Sequence, residues 1–271
     1  MESAMANYGV IDLGSNSVRL VIFDVKDGIS KKKPITCKDF RSIINDKVMA
    51  GLSAYVDAGE FTPEGIARAV DVLSGHLKRA RYFNCVRTDI FATAVLRNCT
   101  NSRKAIRAIE EAIGAPVNLL SARDEAHLSF AGASCDRTID KGTVVDLGGG
   151  STELIRVEEG RDFDDVSIGQ GSLSSYAGYV EFVMPQADEV EAIERAFLER
   201  VAETPVDLRK YRAETLYGVG GSARAAAKLY GLGVIRVADG HHAHGVAVLF
   251  AEERHSAHVD GGLLDHELGG Q

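Results

Sequence analysis

The sequence predicts a duplicated α/β protein in which two domains of similar plan face each other across a cleft. Two β-branched apolar runs, Tyr8–Leu13 and Val18–Phe23, flank a Gly/Ser/Asn turn, which is typical of a β-hairpin. The same strand-turn-strand pattern returns at Thr143–Ile155, where an offset of 134 residues places Asp12 on Asp146. A repeat of this length indicates two copies of one unit, each followed by helices.

The other elements of the first copy alternate between helices and strands. Pro63 suits the first position of a helix, and apolar residues then recur every three or four positions. Three lysines at 31–33 favour an edge strand around them. The elements predicted for this half are a strand over Ile29–Phe40, a helix over Thr62–Arg81, a strand over Val86–Ala94, a helix from Asn101 or Ser102 to Gly114, and a strand over Val117–Leu120.

The second copy is predicted to begin near residue 121. Ser121, followed three residues later by Asp124, predicts the start of a helix with Glu125 in its first turn. Further helices are predicted over Ala187–Glu203 and, after a Gly-rich turn, over Ser222–Tyr230. The domains are therefore expected at 1–121 and 122–271, the second one shortened.

An atypical tail at 233–271 is rich in His and Gly, and periodicity fades within it. Three of its histidines form the run His241-His242-Ala243-His244. A solvated segment is favoured there over a metal site, because no carboxylate or Cys stands at a known ligand spacing.

Composition weighs against several classes of function. A net charge of −8, a pI near 5.5 and the absence of Trp disfavour binding to nucleic acid or to anionic membranes. Four cysteines without a Cys-x-x-Cys pair fit a reducing cytosol better than a disulfide framework or a zinc cage. The first residues lack the pattern of a signal peptide, and no apolar run is long enough to span a membrane. A cytoplasmic protein is therefore expected.

The turns of the two hairpins predict a phosphate site. Asp-Leu-Gly-Ser-Asn-Ser at 12–17 and Asp-Leu-Gly-Gly-Gly-Ser at 146–151 place small residues after a strand, so that consecutive backbone amides can point at one phosphate. Each turn alone would more simply close a hairpin, but two matched copies and a third Gly-rich segment favour a phosphate clamp. The predicted phosphate-binding residues are Gly14, Ser15, Asn16, Ser17, Gly148, Gly149, Gly150, Ser151, Gly220, Gly221 and Ser222.

The aspartates at the strand ends predict a cofactor. The carboxylates of Asp12 and Asp146 would repel a phosphate, so they are unsuited to bind it directly. They suit Mg²⁺, which they would hold directly or through water while the ion bridges to the phosphate.

The sequence resembles a known family at this point. The two turns and Gly-Val-Gly-Gly-Ser at 218–222 are similar to segments of the actin, sugar kinase and heat-shock-chaperone superfamily. Four ordered blocks more narrowly resemble the exopolyphosphatase and guanosine pentaphosphate phosphohydrolase (Ppx/GppA) family. They are the first turn with its x-Arg-Leu extension, Phe91-Ala-Thr-Ala-Val-Leu-Arg97-Asn-Cys-Thr-Asn101, Ser121-x-x-x-Glu125-Ala126, and Val145-Asp-Leu-Gly-Gly-Gly-Ser-Thr-Glu-Leu154. The resemblance implies the actin-like ATPase fold, with two ribonuclease H-like domains flanking a cleft.

The resemblance also implies roles for four side chains. Glu125 matches the family's general base, which activates water against a terminal phosphate, and Arg97 matches a guanidinium that binds the phosphate or its transition-state charge. Glu153 matches a glutamate after the second turn that helps to hold metal or water, and Arg19, which follows the first turn, is expected to bind phosphate. Each of three residues also has a simpler interpretation. Glu125 could be a helix-terminal carboxylate, Arg97 a surface arginine and Glu153 a polar strand residue.

The chain departs from the family pattern in two ways. Ala122 stands where the family usually has Gly, and His127 stands where it usually has Arg. The further helical segment and the all-helical C-terminal domain of many members have no recognisable counterpart after Leu232.

The resemblance predicts a phosphoric-anhydride hydrolase that uses Mg²⁺ and releases terminal phosphate from polyphosphate or pppGpp. The sequence does not rank these two substrates. Two other classes stay open: a module that binds an alarmone or ATP without hydrolysing it, and an actin-like ATPase or kinase. A homodimer is expected by analogy alone.

Overall fold

The computed structural model of the protein describes residues 5–26, 38–135, 138–229 and 247–250. In this part of the chain the strands are β1 (Met5–Leu13), β2 (Ser17–Lys26), β3 (Phe40–Met49), β4 (Val56–Asp57), β5 (Glu60–Phe61), β6 (Arg87–Ala92), β7 (Asn118–Leu119), β8 (Gly142–Leu147), β9 (Thr152–Glu158), β10 (Arg161–Ile168), β11 (Thr215–Val219) and β12 (Ala247–Phe250). The helices are α1 (Pro63–Tyr82), α2 (Ala94–Arg97), α3 (Ser102–Ile113), α4 (Ala122–Cys135), α5 (Ser172–Tyr179), α6 (Ala187–Glu203) and α7 (Gly220–Leu229), with 3₁₀ turns at Leu52–Tyr55 and Leu208–Tyr211.

Two five-stranded sheets repeat one plan. The first has the strand order β3-β2-β1-β6-β7 and the second the order β10-β9-β8-β11-β12. In each sheet the opening hairpin is antiparallel: β1 pairs with β2, and β8 pairs with β9. The first strand of each hairpin also pairs in parallel with a later strand, β1 with β6 and β8 with β11. The duplicated α/β fold predicted from the repeat is therefore confirmed.

The registers of the two hairpins also match. Asp12 on β1 lies opposite Arg19 on β2, and Asp146 on β8 lies opposite Glu153 on β9. Because residues directly opposite in an antiparallel pair project from the same face, each strand-end aspartate has one ionisable neighbour across the ladder. Those neighbours carry opposite charge in the two copies.

Helix boundaries follow local chemistry. The hydroxyl of Thr62 accepts a hydrogen bond from the Gly65 amide at 3.2 Å, which caps α1 one residue before Pro63. Gly114 ends α3 in a left-handed conformation with φ of 67°. Predicted helix α6 is found with the bounds expected for it.

Each sheet has its own apolar core. The first core joins the inner residues of β1, β2 and β6 to α1 and α3, with Ile11, Leu20 and Leu73 fully buried. The second joins β8 and β9 to α4 through Val144, Ile155 and other residues. Helix α4 thus packs on the second sheet while its first turn reaches the end of the first one.

Three features differ from the sequence prediction. The described third strand is β3 at Phe40–Met49, whereas most of the predicted strand at Ile29–Phe40 lies outside the described residues. The Gly-rich segment before α7 was expected to form a separate turn, which is wrong: β11 runs to Val219 and the helix begins at Gly220, whose φ of 93° lets the chain change direction at one residue. Helices α2 and α5 and strand β10 were not predicted.

Most of the tail at 233–271, with the run His241–His244, lies outside the described residues; only β12 within it is described. None of the described helices has the length and apolar character that a membrane-spanning helix needs.

Candidate active site

The two hairpin turns have the same hydrogen-bonded form. The Gly14 amide donates to the Ser17 carbonyl at 3.1 Å, and the Gly148 amide donates to the Ser151 carbonyl at 3.0 Å. Within the described part of the chain, the amides of the two central residues of each turn donate to no backbone carbonyl; these residues are Ser15, Asn16, Gly149 and Gly150. Each turn therefore offers two amides for an anion, as a phosphate-binding nest requires.

The two turns touch each other across the cleft. A Cβ atom added to Gly150 would lie 2.8 Å from Ser15 Oγ, and one added to Gly149 would lie 3.5 Å from Ser15 Cβ. The backbone of the second turn therefore approaches the Ser15 side chain so closely that a side chain at Gly150 would require the Ser15 hydroxyl to move. The predicted phosphate-binding residues of both turns meet at one place.

Helix α5 holds the second turn from its carbonyl side. The Ser172 amide donates to the Gly148 carbonyl at 3.0 Å, and the amides of Leu173 and Ser174 both donate to the Gly149 carbonyl at 2.9 Å. A Cβ atom at Gly171 would lie 2.6 Å from the Gly148 carbonyl oxygen, so glycine is required for this approach. The amide donors at the start of a helix thus fix the conformation of the turn.

Gly171→Ala is expected to reduce the free energy of unfolding by about 1–3 kcal/mol, because the methyl group must push the turn backbone aside. Gly178→Ala, in the same helix, has open space around it and is expected to be neutral or to stabilise the protein by about 0.5–1 kcal/mol. Urea denaturation of both variants measures the difference. Equal stability of the two would contradict the packing described for Gly171.

Carboxylates converge beneath the turns. Asp12, Glu125 and Asp146 line one cavity of about 290 Å³, together with apolar side chains of α4 and the strand ends. Glu153 is almost fully buried and lies opposite Asp146 in the ladder. The structure therefore brings the predicted metal ligands and the predicted general base together at the carboxyl ends of β1 and β8.

Glu125 reaches this cavity from the first turn of α4. Ser121 Oγ accepts a hydrogen bond from the Asp124 amide at 3.1 Å, which fixes the start of the helix. Arg97 Nη1 donates to Glu125 Oε2 at 2.5 Å and to the Leu120 carbonyl at 3.3 Å. Burial raises the pKa of Glu125, the Arg97 guanidinium opposes that rise, and Asp146 adds to it.

Burial also raises the pKa values of the other three carboxyl groups. The pKa of Asp12 rises to about 6, because burial and the nearby Glu125 outweigh the attraction of Arg19. Burial raises the pKa of Asp146, against a hydrogen bond of 2.5 Å donated by Ser129 Oγ. The pKa of Glu153 rises to about 7 through burial and the charge of Glu125.

The donor set fits Mg²⁺. All of these groups present oxygen atoms, the ligands that a hard cation prefers, and burial raises their pKa values, a rise that a bound cation would oppose. In the described ranges no three or more His, Cys, Asp or Glu side chains form a ready metal cage. Mg²⁺ sites in proteins commonly use only one or two carboxylates, with water and substrate phosphate completing the coordination.

Glu153→Gln is expected to stabilise the metal-free protein at pH 8 by roughly 1–3 kcal/mol. The pKa of Glu153 is about 7 in the folded protein against 4.5 ordinarily, so the folded state binds this proton more tightly, and stability is lost as pH rises from about 4.5 through 7. Gln removes that loss. Denaturation at pH 4 and pH 8, with the exposed Glu194→Gln as control, measures it. An equal gain in the free energy of unfolding at pH 4 and pH 8 would show that the raised pKa of Glu153 is not the cause.

The third Gly-rich segment supports the site from α7. A Cβ atom at Gly220 would lie 3.4 Å from Asp146 Oδ1 and 3.2 Å from the Leu147 carbonyl oxygen, so this segment packs directly behind the aspartate. Gly221 and Ser222 follow in the first turn of α7.

Two residues of the site were missed from the sequence. Ser129 lies one helical turn after Glu125 on the same face of α4, a spacing that would have shown it once the helix was assigned. Arg224 lies in α7, and its charge lowers the pKa of Asp146. No sequence pattern signals this electrostatic effect, because it acts between two elements far apart in the chain.

The sequence matches the Ppx/GppA phosphatase family over residues 10–234. The chain belongs to that family. Among curated relatives, exopolyphosphatase 2 of Mycobacterium tuberculosis is 30% identical over 160 residues, which cover 56% of this chain and 48% of the relative. The chain thus spans about half the length of the curated relatives it matches.

Solved structures of this family share the fold. The Aquifex aeolicus PPX-GPPA enzyme superposes with a TM-score of 0.60 at 23% identity, covering 84% of this chain and 72% of that one. An exopolyphosphatase from Cytophaga hutchinsonii gives a TM-score of 0.68 at 21% identity, covering 82% and 69%. At these identities the likeness establishes the fold, and the actin-like ATPase fold expected from the resemblance is confirmed.

Proposed function

We propose that this member of the Ppx/GppA family is a phosphoric-anhydride hydrolase that releases terminal phosphate from polyphosphate or pppGpp. The observation that carries the proposal is the convergence of Glu125, Asp12 and Asp146 on one cavity, with each aspartate two residues before the first glycine of a phosphate turn. The relative named exopolyphosphatase 2 supports the class of substrate.

In the proposed reaction the turns hold the terminal phosphate through the amides of Ser15, Asn16, Gly149 and Gly150. A water molecule beside Glu125 attacks the terminal phosphorus atom, Glu125 takes the proton, and the bond to the bridging oxygen breaks. The raised pKa of Glu125 makes it a stronger base than an exposed glutamate. The cavity beside it has room for the attacking water.

Arg97 has two proposed roles. Its guanidinium orients Glu125 through the 2.5 Å hydrogen bond and offers further N–H groups to phosphate oxygens. Mg²⁺, when bound by Asp12 and Asp146 with help from Glu153, would neutralise phosphate charge and so favour attack by water.

Phosphate release from the purified protein tests the proposal. Short polyphosphate, long polyphosphate, pppGpp and ATP are offered separately with Mg²⁺, and inorganic phosphate is measured. We expect release from polyphosphate or pppGpp without any acceptor, and the preferred substrate decides between them. Tight binding without release would identify a binding module, and release that requires an acceptor would identify a kinase.

A further inference from the structure

The cavity beside Glu125 is larger than one attacking water molecule needs. Its volume is about 290 Å³, whereas a water molecule occupies about 30 Å³ in the liquid. From Glu125 the cavity follows one face of α4, past Leu128 and Ser129, to Gly132 and Ala133. Gly132 lies seven residues after Glu125, which at a helical rise of about 1.5 Å per residue places it roughly 10 Å further along. The cavity therefore has space for a small organic molecule.

Much of the lining of this cavity is apolar. The apolar lining residues are Phe91, Leu120, Leu128, Gly132, Ala133 and Val219. Leu128 lies one helical turn after Glu125 and is 47% exposed. Apolar surface that faces water is unfavourable, so water alone gains nothing from such a lining. An organic group that covers these side chains removes apolar surface from water on both partners. The lining therefore favours an occupant with an apolar part.

The cavity lies on the side from which the nucleophile approaches. In an in-line displacement the attacking atom and the leaving oxygen stand on opposite sides of the phosphorus atom. Glu125, the proposed base, lines the cavity, so the nucleophile it activates is there and the leaving chain departs in the other direction. An occupant of the cavity is therefore not part of the leaving chain. A hydroxyl group on this occupant would take the place of the attacking water.

We propose that the cavity also binds a small aliphatic alcohol, and that the protein transfers the terminal phosphate to this alcohol as well as to water. This inference rests on the proposed function, since it uses the same base and the same phosphate site. The alcohol oxygen forms a bond to the terminal phosphorus atom, and Glu125 takes the hydroxyl proton. The bond to the bridging oxygen breaks, and that oxygen keeps the electron pair. The products are an alkyl phosphate and the shortened chain, and no atom is oxidised or reduced.

The apolar lining decides which alcohols react best. Each methylene group buried against it is expected to strengthen binding by about threefold to fourfold. Formation of alkyl phosphate is therefore expected to increase along the series methanol, ethanol, n-propanol and n-butanol. Glycerol has as many carbon atoms as n-propanol, but its additional hydroxyl groups would lose hydrogen bonds to water against an apolar wall. It is expected to react less than n-propanol.

The partition of phosphate between water and alcohol tests this proposal. The protein is incubated with Mg²⁺ and tripolyphosphate, or with Mg²⁺ and pppGpp, in buffer that contains one alcohol at a fixed, subsaturating concentration. Inorganic phosphate and alkyl phosphate are measured together by ³¹P NMR. We expect the ratio of alkyl phosphate to phosphate to increase by about threefold to fourfold for each added carbon atom. The same ratio for all four alcohols, or phosphate release without alkyl phosphate, would overturn the proposal.

A variant that fills the cavity gives a second test. A Cβ atom added to Gly132 meets open space, so Gly132→Leu adds apolar volume to the lining without a clash at that atom. It is expected to lower the ratio of n-butyl phosphate to phosphate by about tenfold, the loss of roughly two buried methylene groups. Gly132→Ala is expected to lower it less, and decides if the leucine variant fails to fold. An unchanged ratio in a folded Gly132→Leu protein would overturn the proposal.

The matched control for the filled cavity is Gly75→Leu. Gly75 is an exposed glycine on α1, where an added Cβ atom also meets open space. It is not among the described residues that line the cavity. The ratio of n-butyl phosphate to phosphate is expected to stay unchanged in this variant. A loss as large as that in Gly132→Leu would overturn the assignment of the alcohol to the cavity.

The outcomes separate this inference from the proposed function. Phosphate release without alkyl phosphate overturns this inference and leaves the proposed function intact. Alkyl phosphate from a protein that releases no phosphate in alcohol-free buffer supports the transfer step and contradicts the proposed function. Neither product from either substrate overturns both. Alkyl phosphate that forms in Glu125→Gln at the original rate overturns the role of this base in the transfer.

Discussion

Glu125→Gln is expected to lower the rate of phosphate release by about 10²- to 10⁴-fold, the range usual for the loss of a general base. Gln has nearly the same shape and can still accept the hydrogen bond from Arg97, but it cannot take a proton from water. Initial rates at saturating substrate and Mg²⁺ measure the effect. Because the turns are untouched, the affinity for tripolyphosphate is expected to stay within a few-fold of that of the unchanged protein.

The matched control for this variant is Glu111→Gln, an exposed glutamate on α3 far from the cavity. It is expected to leave the rate unchanged. Phosphate release that persists in Glu125→Gln at the original rate would remove this residue from the mechanism, whatever the substrate.

Replacing Arg97 by Ala is expected to lower phosphate release by about 10²- to 10³-fold, the loss typical of one transition-state donor. The same change is expected to move the acidic limb of the pH–rate profile to higher pH. The reason is that Arg97 opposes the rise in the pKa of Glu125, so its removal raises that pKa further. Glu125 then stays protonated, and inactive as a base, up to a higher pH.

A pH–rate profile measures both effects. Arg97→Lys keeps a positive charge near Glu125 and is expected to shift the acidic limb less than Ala does. Arg103→Ala, at an exposed position in the first turn of α3, serves as the control. An unshifted acidic limb in Arg97→Ala would show that the ion pair with Glu125 does not tune the base.

Much of the fold could be predicted because its signals are local. Apolar runs on both sides of small residues predict the two hairpins, and the repetition of this pattern 134 residues later indicates duplication. The caps at Thr62 and Ser121 form hydrogen bonds within three residues, so the starts of these two helices could be predicted from the sequence. The position of Glu125 in a first helical turn followed from that local chemistry.

Other parts of the fold depend on contacts between distant residues. Helix α5 has little apolar periodicity, and its place is set by hydrogen bonds to the second turn more than 20 residues earlier in the chain. Helix α2 has four residues, too few for a periodic pattern. The direct passage from β11 into α7 depends on Gly220 packing against Asp146.

In the candidate site, too, some residues follow from local motifs and others from contacts between distant parts of the chain. The turns, Asp12, Asp146 and Glu125 were found from motifs, but the pairing of Arg97 with Glu125 requires α2 and α4 to meet. The Asp146 environment, formed by Ser129, Glu153 and Arg224, comes from three different elements. A linear pattern contains no distance between such elements, so the electrostatic balance of the site appeared only with the structure.

Hydrolysis in ¹⁸O-labelled water shows which phosphorus atom the attacking water reaches. With Mg²⁺ and tripolyphosphate or pppGpp as substrate, we expect one labelled oxygen in each phosphate released and none in the shortened product, at a rate that falls sharply in Glu125→Gln. This result would show that water attacks the terminal phosphorus atom. Label in the shortened product, or released phosphate without label, would mean that water does not attack the terminal phosphorus atom.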